Sequence, residues 1–117
     1  MLKLTDMNTH KMRVEGEVFA AIVAGEKTIE SRLNDEKRRL IKVGDNIEFT
    51  SRVDGATILV EVAELLHYRN FSELFASRKP AEFGGESQAQ LEAQVREFYT
   101  PDDESRYGVV GIEFRLV

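Results

Sequence analysis

The sequence predicts an α+β fold built on a mixed, strongly curved sheet, and three observations carry that prediction. Hydropathy gives the order strand, helix, three strands, two helices, strand, which lacks the regular alternation of a parallel α/β sheet. So few strands have exposed edges that closure into a small barrel of mixed strands, with flanking helices, would protect. At 117 residues and 42% hydrophobic content, the chain suits one domain over residues 1–117 and can bury a core of ordinary size.

Met1–Met7 has no period and reads as a loose leader. His10–Val14 alternates as a first strand would. In Glu15–Ala24, Val18, Phe19, Ile22 and Val23 form one apolar helical stripe, Glu15 and Glu17 suit the first turn, and Gly25 suits a left-handed cap. Thr28–Leu33 alternates as a strand, which puts Glu30 and Arg32 on one face and Asn34 in the same row if the strand runs on. Glu36–Val43 is a cationic segment ending at the turn Gly44-Asp45. Asn46–Val53 and Thr57–Leu66 read as strands around the hairpin signal Asp54-Gly55. Phe71–Ser77 is a short amphipathic segment with Ser72 as a candidate cap, broken by Arg78-Lys79-Pro80. Glu82–Glu86 reads as a loop, and Ser87–Tyr99 as a helix with Ser87 at the N-cap and Leu91, Val95, Phe98 and Tyr99 at helical spacing. Thr100–Tyr107 reads as a polar turn region before a final strand in YGVVGIEFRLV.

Composition removes several kinds of chemistry. Without cysteine there is no disulfide, thiolate zinc site or cysteine nucleophile. Two histidines 57 positions apart, with no H-x-x-x-H or D-x-D spacing, supply no metal-ligand set, and no cofactor is implied. There is neither a G-x-x-x-x-G-K-[ST] loop nor a nucleophile elbow. The absence of a signal-like run, or of the roughly 20 apolar residues that span a bilayer, points to a cytoplasmic location without a membrane partner.

The net charge of −5 is unevenly spread: residues 1–52 carry ten Lys/Arg against nine Asp/Glu, and residues 53–117 carry six against twelve. A small basic pocket on an acidic body fits a short strand, a nucleotide or a metabolite better than a long duplex. The basic side contains Val23–Asp45, where Lys27, Glu30, Arg32, Asn34, Lys37 and Arg38 are too polar for a core.

Each of these residues has a functional and a structural reading. Lys27, just past a helix end, is a phosphate contact, a base if desolvated, or a solvated lysine. Glu30 and Arg32 are either a structural ion pair or a cleft pair, with Arg32 forking to phosphate or a base edge and Glu30 orienting Lys27 or accepting from a base amino group. Asn34 reads a base or caps a turn. Lys37, Arg38 and Arg39 guide a phosphate backbone or form a solvated face. His10 and Arg52 could line the same cleft in a barrel, whereas His67 reads as structural. Tyr107, before the last strand, is the tyrosine best placed to stack on a base, and Tyr99 belongs to the helical stripe and so to the core.

The run G-E-K-T-I-E-S-R over Gly25–Arg32, with Phe19 and Ile22 before it and N-D, K-R-R, I-K-V-G-D and I-E-F after it, resembles the signature of the ASCH domain family. That family is related to PUA domains, and the resemblance covers nearly the whole chain. It implies a PUA-like β-barrel with helices around it and a cleft beside G-x-K-x-x-E-x-R for RNA or a nucleotide. Some members resemble RNA-binding modules, some are ribonucleases, and one subgroup hydrolyses N4-acetylcytidine with a lysine, a threonine and a distant glutamate. Lys27 matches the lysine, Glu30 replaces the threonine, and Glu86 lies near where the glutamate would fall. The resemblance therefore leaves a binder of single-stranded RNA or a nucleotide as the first reading. A hydrolase on the same cleft is the second, either cleaving RNA with a phosphodiester held between Lys27 and Arg32 or hydrolysing a modified nucleoside with Lys27 and Glu30. A non-catalytic interaction module whose acidic C-terminal half carries the contact is the third.

Overall fold

The computed structural model describes residues 8–117, so the leader reading of Met1–Met7 falls outside the described residues. The strands are β1 (Thr9–Val14), β2 (Ile29–Leu33), β3 (Asn46–Ser51), β4 (Thr57–Tyr68) and β5 (Val109–Leu116). The helices are α1 (Gly16–Val23), α2 (Phe71–Ala76), α3 (Gln88–Val95) and α4 (Pro101–Tyr107), with single 3-10 turns at Arg38–Leu40 and Pro80–Phe83.

The strands form one sheet in the order β1-β3-β4-β5-β2. β1 runs parallel to β3 and every other pair is antiparallel. The sheet curls into a half-barrel, and β1 and β2 are its two edges, facing each other across a seam without a ladder between them. A register shift between Val62 and Glu64 leaves Ala63 as the extra residue of a bulge, a device that bends a strand and raises its twist. β4 consequently continues to Tyr68, past the Leu66 expected from alternation, because its last residues pair with the start of β5.

Two hydrophobic clusters pack on this sheet. One fills the curl with Met12, Val14, Ile22, Ile47, Phe49, Val60, Val62, Ile112 and Phe114, and the Phe49 and Phe114 rings meet at 5.3 Å. The other lies between β2, the start of β5 and the helices, through Ile29, Leu33, Val109, Phe71, Leu74, Phe75, Phe83 and Leu91. Period-two alternation explains the split: Ile29 and Leu33 turn to the second cluster, so Glu30 and Arg32 take the opposite face of β2.

The helical half corrects three sequence readings. Asn70, not Ser72, caps α2, with its side-chain oxygen accepting from the Glu73 amide at 2.8 Å. Pro80–Phe83 is a 3-10 turn, not part of a loop. Thr100–Tyr107 is a helix rather than a turn, because Thr100 Oγ1 accepts from the Asp103 amide at 3.2 Å while the Thr100 amide donates to Asp103 at 2.8 Å, and Pro101 opens the first turn. Ser87 caps α3 as expected, accepting from the Gln90 amide at 3.1 Å. Among the described residues no helix is long and apolar enough to cross a membrane.

Glu104 joins the helices. Buried at 6% exposure, it accepts from the Phe71 amide at 2.8 Å and from Arg96 Nη2 at 2.8 Å. Glu104→Ala strands the buried Phe71 amide and frees Arg96 to solvent, and is expected to cost about 2–3 kcal/mol in denaturant unfolding, whereas Thr100→Ala, which removes only a cap, costs about 1 kcal/mol.

Candidate functional site

The seam between β1 and β2 opens into a cleft of about 800 Å³. One wall is polar and comes from the two edge strands and their flanks: Arg13, Lys27, Glu30, Arg32 and Arg52. The other comes from the helical half and is mainly apolar, through Phe75, Phe83, Leu91, Val95, Phe98 and Tyr99, with Gln94 and Glu97 as its polar members.

Lys27 reaches the cleft by a sequence of local constraints. Gly25, at φ 76°, lets the chain leave α1 in the left-handed region. The amides of Glu26 and Lys27 both return to the Ala21 carbonyl. The Thr28 amide donates to the Glu82 carbonyl at 2.9 Å, which lays the lysine stem beneath the turn after Phe83. Gly84 has φ 85°, and a Cβ there would sit 3.1 Å from Lys27 Cδ.

At the end of that stem, Lys27 Nζ lies 3.1 Å from Glu30 Oε1 and donates to the Phe83 carbonyl at 2.9 Å. Arg32 Nε donates to Glu30 Oε2 at 2.6 Å. Arg32 Nη2 donates across the seam to the Arg13 carbonyl at 3.3 Å, tying the two edges of the sheet together. Lys27 and Glu30 each keep 7% of their surface exposed. Burial pushes the Glu30 carboxyl upward, but the adjacent Lys27 and Arg32 charges and their hydrogen bonds outweigh it and hold the group below its ordinary value. Burial likewise opposes charge on Arg32, and Glu30 reverses that effect and raises the guanidinium. The cluster is thus an ionised carboxylate clamped between two cations, with one net positive charge.

Of the remaining candidate residues, Arg52 lines the cleft, where its Nε lies 3.2 Å from Glu15 in an exposed pair. The structure does not bring His10, Asn34, Arg38 or Tyr107 into the cleft lining. His10 Nε2 lies 2.8 Å from Asp45, a carboxylate that also accepts from the Lys42 amide and fixes the turn before β3. β2 ends at Leu33, so Asn34 does not extend the row of Glu30 and Arg32. Arg38 folds onto Asp35 at 3.2 Å. Arg39 donates to the Asn34 carbonyl at 2.8 Å, so this arginine supports the turn. Glu86 is exposed and not among the cleft residues.

Tyr99 and Tyr107 both pack on the second cluster, Tyr99 as expected from the helical stripe. Tyr107 packs on the second cluster with the Arg106 guanidinium 5.9 Å from its ring centre, while Tyr99 lines the cleft, stacked on Phe71 at 5.6 Å. Reasoning from sequence missed Arg13 and the aromatic wall. Arg13 carried a signal, being an outward position of an alternating edge strand. Tyr99 did not, because it lies past the end of α3 where the helical period no longer applies.

A curled mixed sheet with helices flanking both sides of its seam and a polar cleft between them defines a PUA-like α+β half-barrel. The family model described as ASCH domain matches residues 12–117, and the chain belongs to the ASCH domain family. It is similar to hypothetical protein PH0355, with 35% identity and a TM-score of 0.82 over 93% of this chain and 99% of that one. It is also similar to protein PF0455 from Pyrococcus furiosus, with 32% identity and a TM-score of 0.71 over 93% of this chain and 97% of that one. An ASCH protein from Zymomonas mobilis shares the fold at 17% identity and a TM-score of 0.60, covering 92% of this chain and 67% of that one. No curated protein matches. The expected fold class and family resemblance are both met.

Two measurements test the cluster. Glu30 has a lowered folded pKa, so the stability it contributes is complete above its ordinary value of 4.5 and disappears as pH falls through the lowered value. The stability difference between the protein and Glu30→Gln is therefore expected to be largest near neutral pH and to shrink in acid, as read by unfolding midpoints at stepped pH. Gly84→Ala combines a left-handed φ with contact against the Lys27 stem, and is expected to cost about 1 kcal/mol or more in the same assay.

Proposed function

We propose that this protein binds single-stranded RNA, or a nucleotide from it, in the cleft over Lys27, Glu30 and Arg32. The observation that carries the reading is the pairing of a charged floor with an aromatic wall in one cleft. Exposed bases of a single strand can stack on such a wall while their edges meet the polar groups. Phe98, 69% exposed at the cleft, offers a free ring face of the kind that sequence-tolerant stacking uses. Arg13, Lys27, Arg32 and Arg52 face Glu15, Glu30 and Glu97 in the cleft lining, which leaves one net positive charge, enough to favour a small anionic ligand and short of the basic track that a duplex needs. The family resemblance supports the same class of partner.

Hydrolysis by Lys27 and Glu30 is the weaker reading on chemical grounds. A carboxylate held below its ordinary pKa is a poor proton acceptor near neutrality. The Lys27 amino group is engaged as a donor to Glu30 and to the Phe83 carbonyl, and so is not presented as a lone-pair nucleophile.

Titration of labelled RNA pentamers tests the proposal. Affinity is expected to fall as salt rises, and to fall about tenfold or more in Arg32→Ala and Lys27→Ala. Phe98→Ala, a surface change, is expected to weaken binding about tenfold through lost stacking, and the RNA should stay intact on incubation. Absence of affinity for any pentamer at low salt would overturn the reading, and shortening of the RNA that is lost in Lys27→Ala would replace it with the hydrolase.

A further inference from the structure

The groups of the cluster that remain unpaired describe a specific ligand edge. A carboxylate has about four acceptor positions, two on each oxygen. Lys27 takes one on Oε1 at 3.1 Å and Arg32 takes one on Oε2 at 2.6 Å, which leaves one on each. A lysine ammonium has three donors. Glu30 and the Phe83 carbonyl use two, which leaves one. The remaining set is a donor beside two adjacent acceptors, all from residues lining one cleft.

We infer that the floor of this cleft reads the Watson–Crick edge of guanine, and this rests on the RNA- or nucleotide-binding reading above. Guanine presents the complement in order: the O6 acceptor, then the N1–H and N2–H donors. Lys27 Nζ meets O6, and the two oxygens of Glu30 meet N1–H and N2–H. The other bases fit worse. Uracil sets its O2 lone pair against a carboxylate oxygen that is already ionised, and adenine, with N1 on Lys27 and N6–H on one oxygen of Glu30, leaves the other oxygen unpaired. Cytosine asks for two donors beside one acceptor, but the side-on edge of Arg32 is taken, with Nε on Glu30 and Nη2 on the Arg13 carbonyl. A purine also suits the cleft, whose volume of about 800 Å³ lies within the range of small-molecule sites, and whose wall at Tyr99 offers a stacking surface.

Selectivity follows from burial. With Lys27 and Glu30 each 7% exposed, a base that cannot pair with them displaces water and leaves their remaining donor and acceptor positions unpaired, which is how polar sites reject analogues that lack a matching group. Glu30 is therefore a specificity residue, and Glu30→Gln exchanges one acceptor for a donor.

The test compares RNA pentamers identical except for a central guanine, inosine, adenine, cytosine or uracil, bound to the unaltered protein and to Glu30→Gln. Inosine lacks only the N2 amino group, so this comparison needs no mutant. Guanine is expected to bind roughly tenfold or more tighter than inosine or adenine, and inosine tighter than uracil, with the order compressed to within about threefold in Glu30→Gln. Equal affinity for guanine and inosine, or a preference for cytosine, would overturn the guanine assignment and leave RNA binding in place. Failure of all five pentamers to bind would overturn the function itself.

Discussion

The cleft depends on a single buried carboxylate. Glu30 sits on β2 opposite Ile112 of β5, on the strand face that Ile29 and Leu33 do not use, and its neighbours on that side are an ammonium and a guanidinium. An isolated charge there would carry a desolvation cost of several kcal/mol, and either cation alone would leave part of it uncompensated. Because both are present, the ionised form is the stable one, and the arrangement fixes Lys27 and Arg32 as firmly as it fixes Glu30. Arg32 then carries the constraint across the seam to β1 through the Arg13 carbonyl. The same side chains that neutralise the floor thus also hold the mouth of the half-barrel at its width.

The cleft exists because the two hydrophobic clusters do not merge. A fully closed barrel would pair β1 with β2 and bury their edges in a ladder. Here α1 and the first cluster stand on one side of the seam, and α2, α3 and the second cluster on the other. The turn at Pro80–Phe83 joins the two sides: Phe83 packs in the second cluster against Phe75 at 5.1 Å, and its carbonyl receives the Lys27 ammonium. Gly84 allows the approach, since any side chain there would meet the lysine stem. A hydrophobic contact in the helical half therefore sets the position of a charged group in the sheet half.

The sequence made the strand half of this architecture readable, and the helical half less so. β2, β3 and β5 announce themselves by period-two alternation, and the shared face of Glu30 and Arg32 follows from that period without knowledge of any contact. The signal for α4 was present too, in Thr100, Pro101 and Asp103, but acidic residues in a short polar run read equally well as a turn until the cap geometry closes. Convergence of Lys27 with the strand pair was harder to derive, because Lys27 precedes the strand and its course depends on Glu82 and Phe83, more than fifty residues away. The aromatic wall was least legible of all. Tyr99 and Phe98 lie beyond the last helical turn of α3, and the stripe that placed Tyr99 on the core, which it joins, carried no sign that the same ring also lines the cleft.

Glu30 fits the G-x-K-x-x-E-x-R signature, and where the acetylcytidine-hydrolysing subgroup of the resemblance has a threonine this carboxylate changes what the floor can do. A hydroxyl between a lysine and an arginine could leave the amine free to act and could itself attack. A carboxylate in that place binds both cations, lowers its own basicity and converts the amine into a committed donor. What it gains is a rigid, ordered row of donor and acceptor positions, since neither partner can rotate away without exposing a buried charge. Rigidity of that kind serves recognition, where hydrogen-bond complementarity must be held in advance, better than proton transfer, which needs a group whose two protonation states lie close in energy.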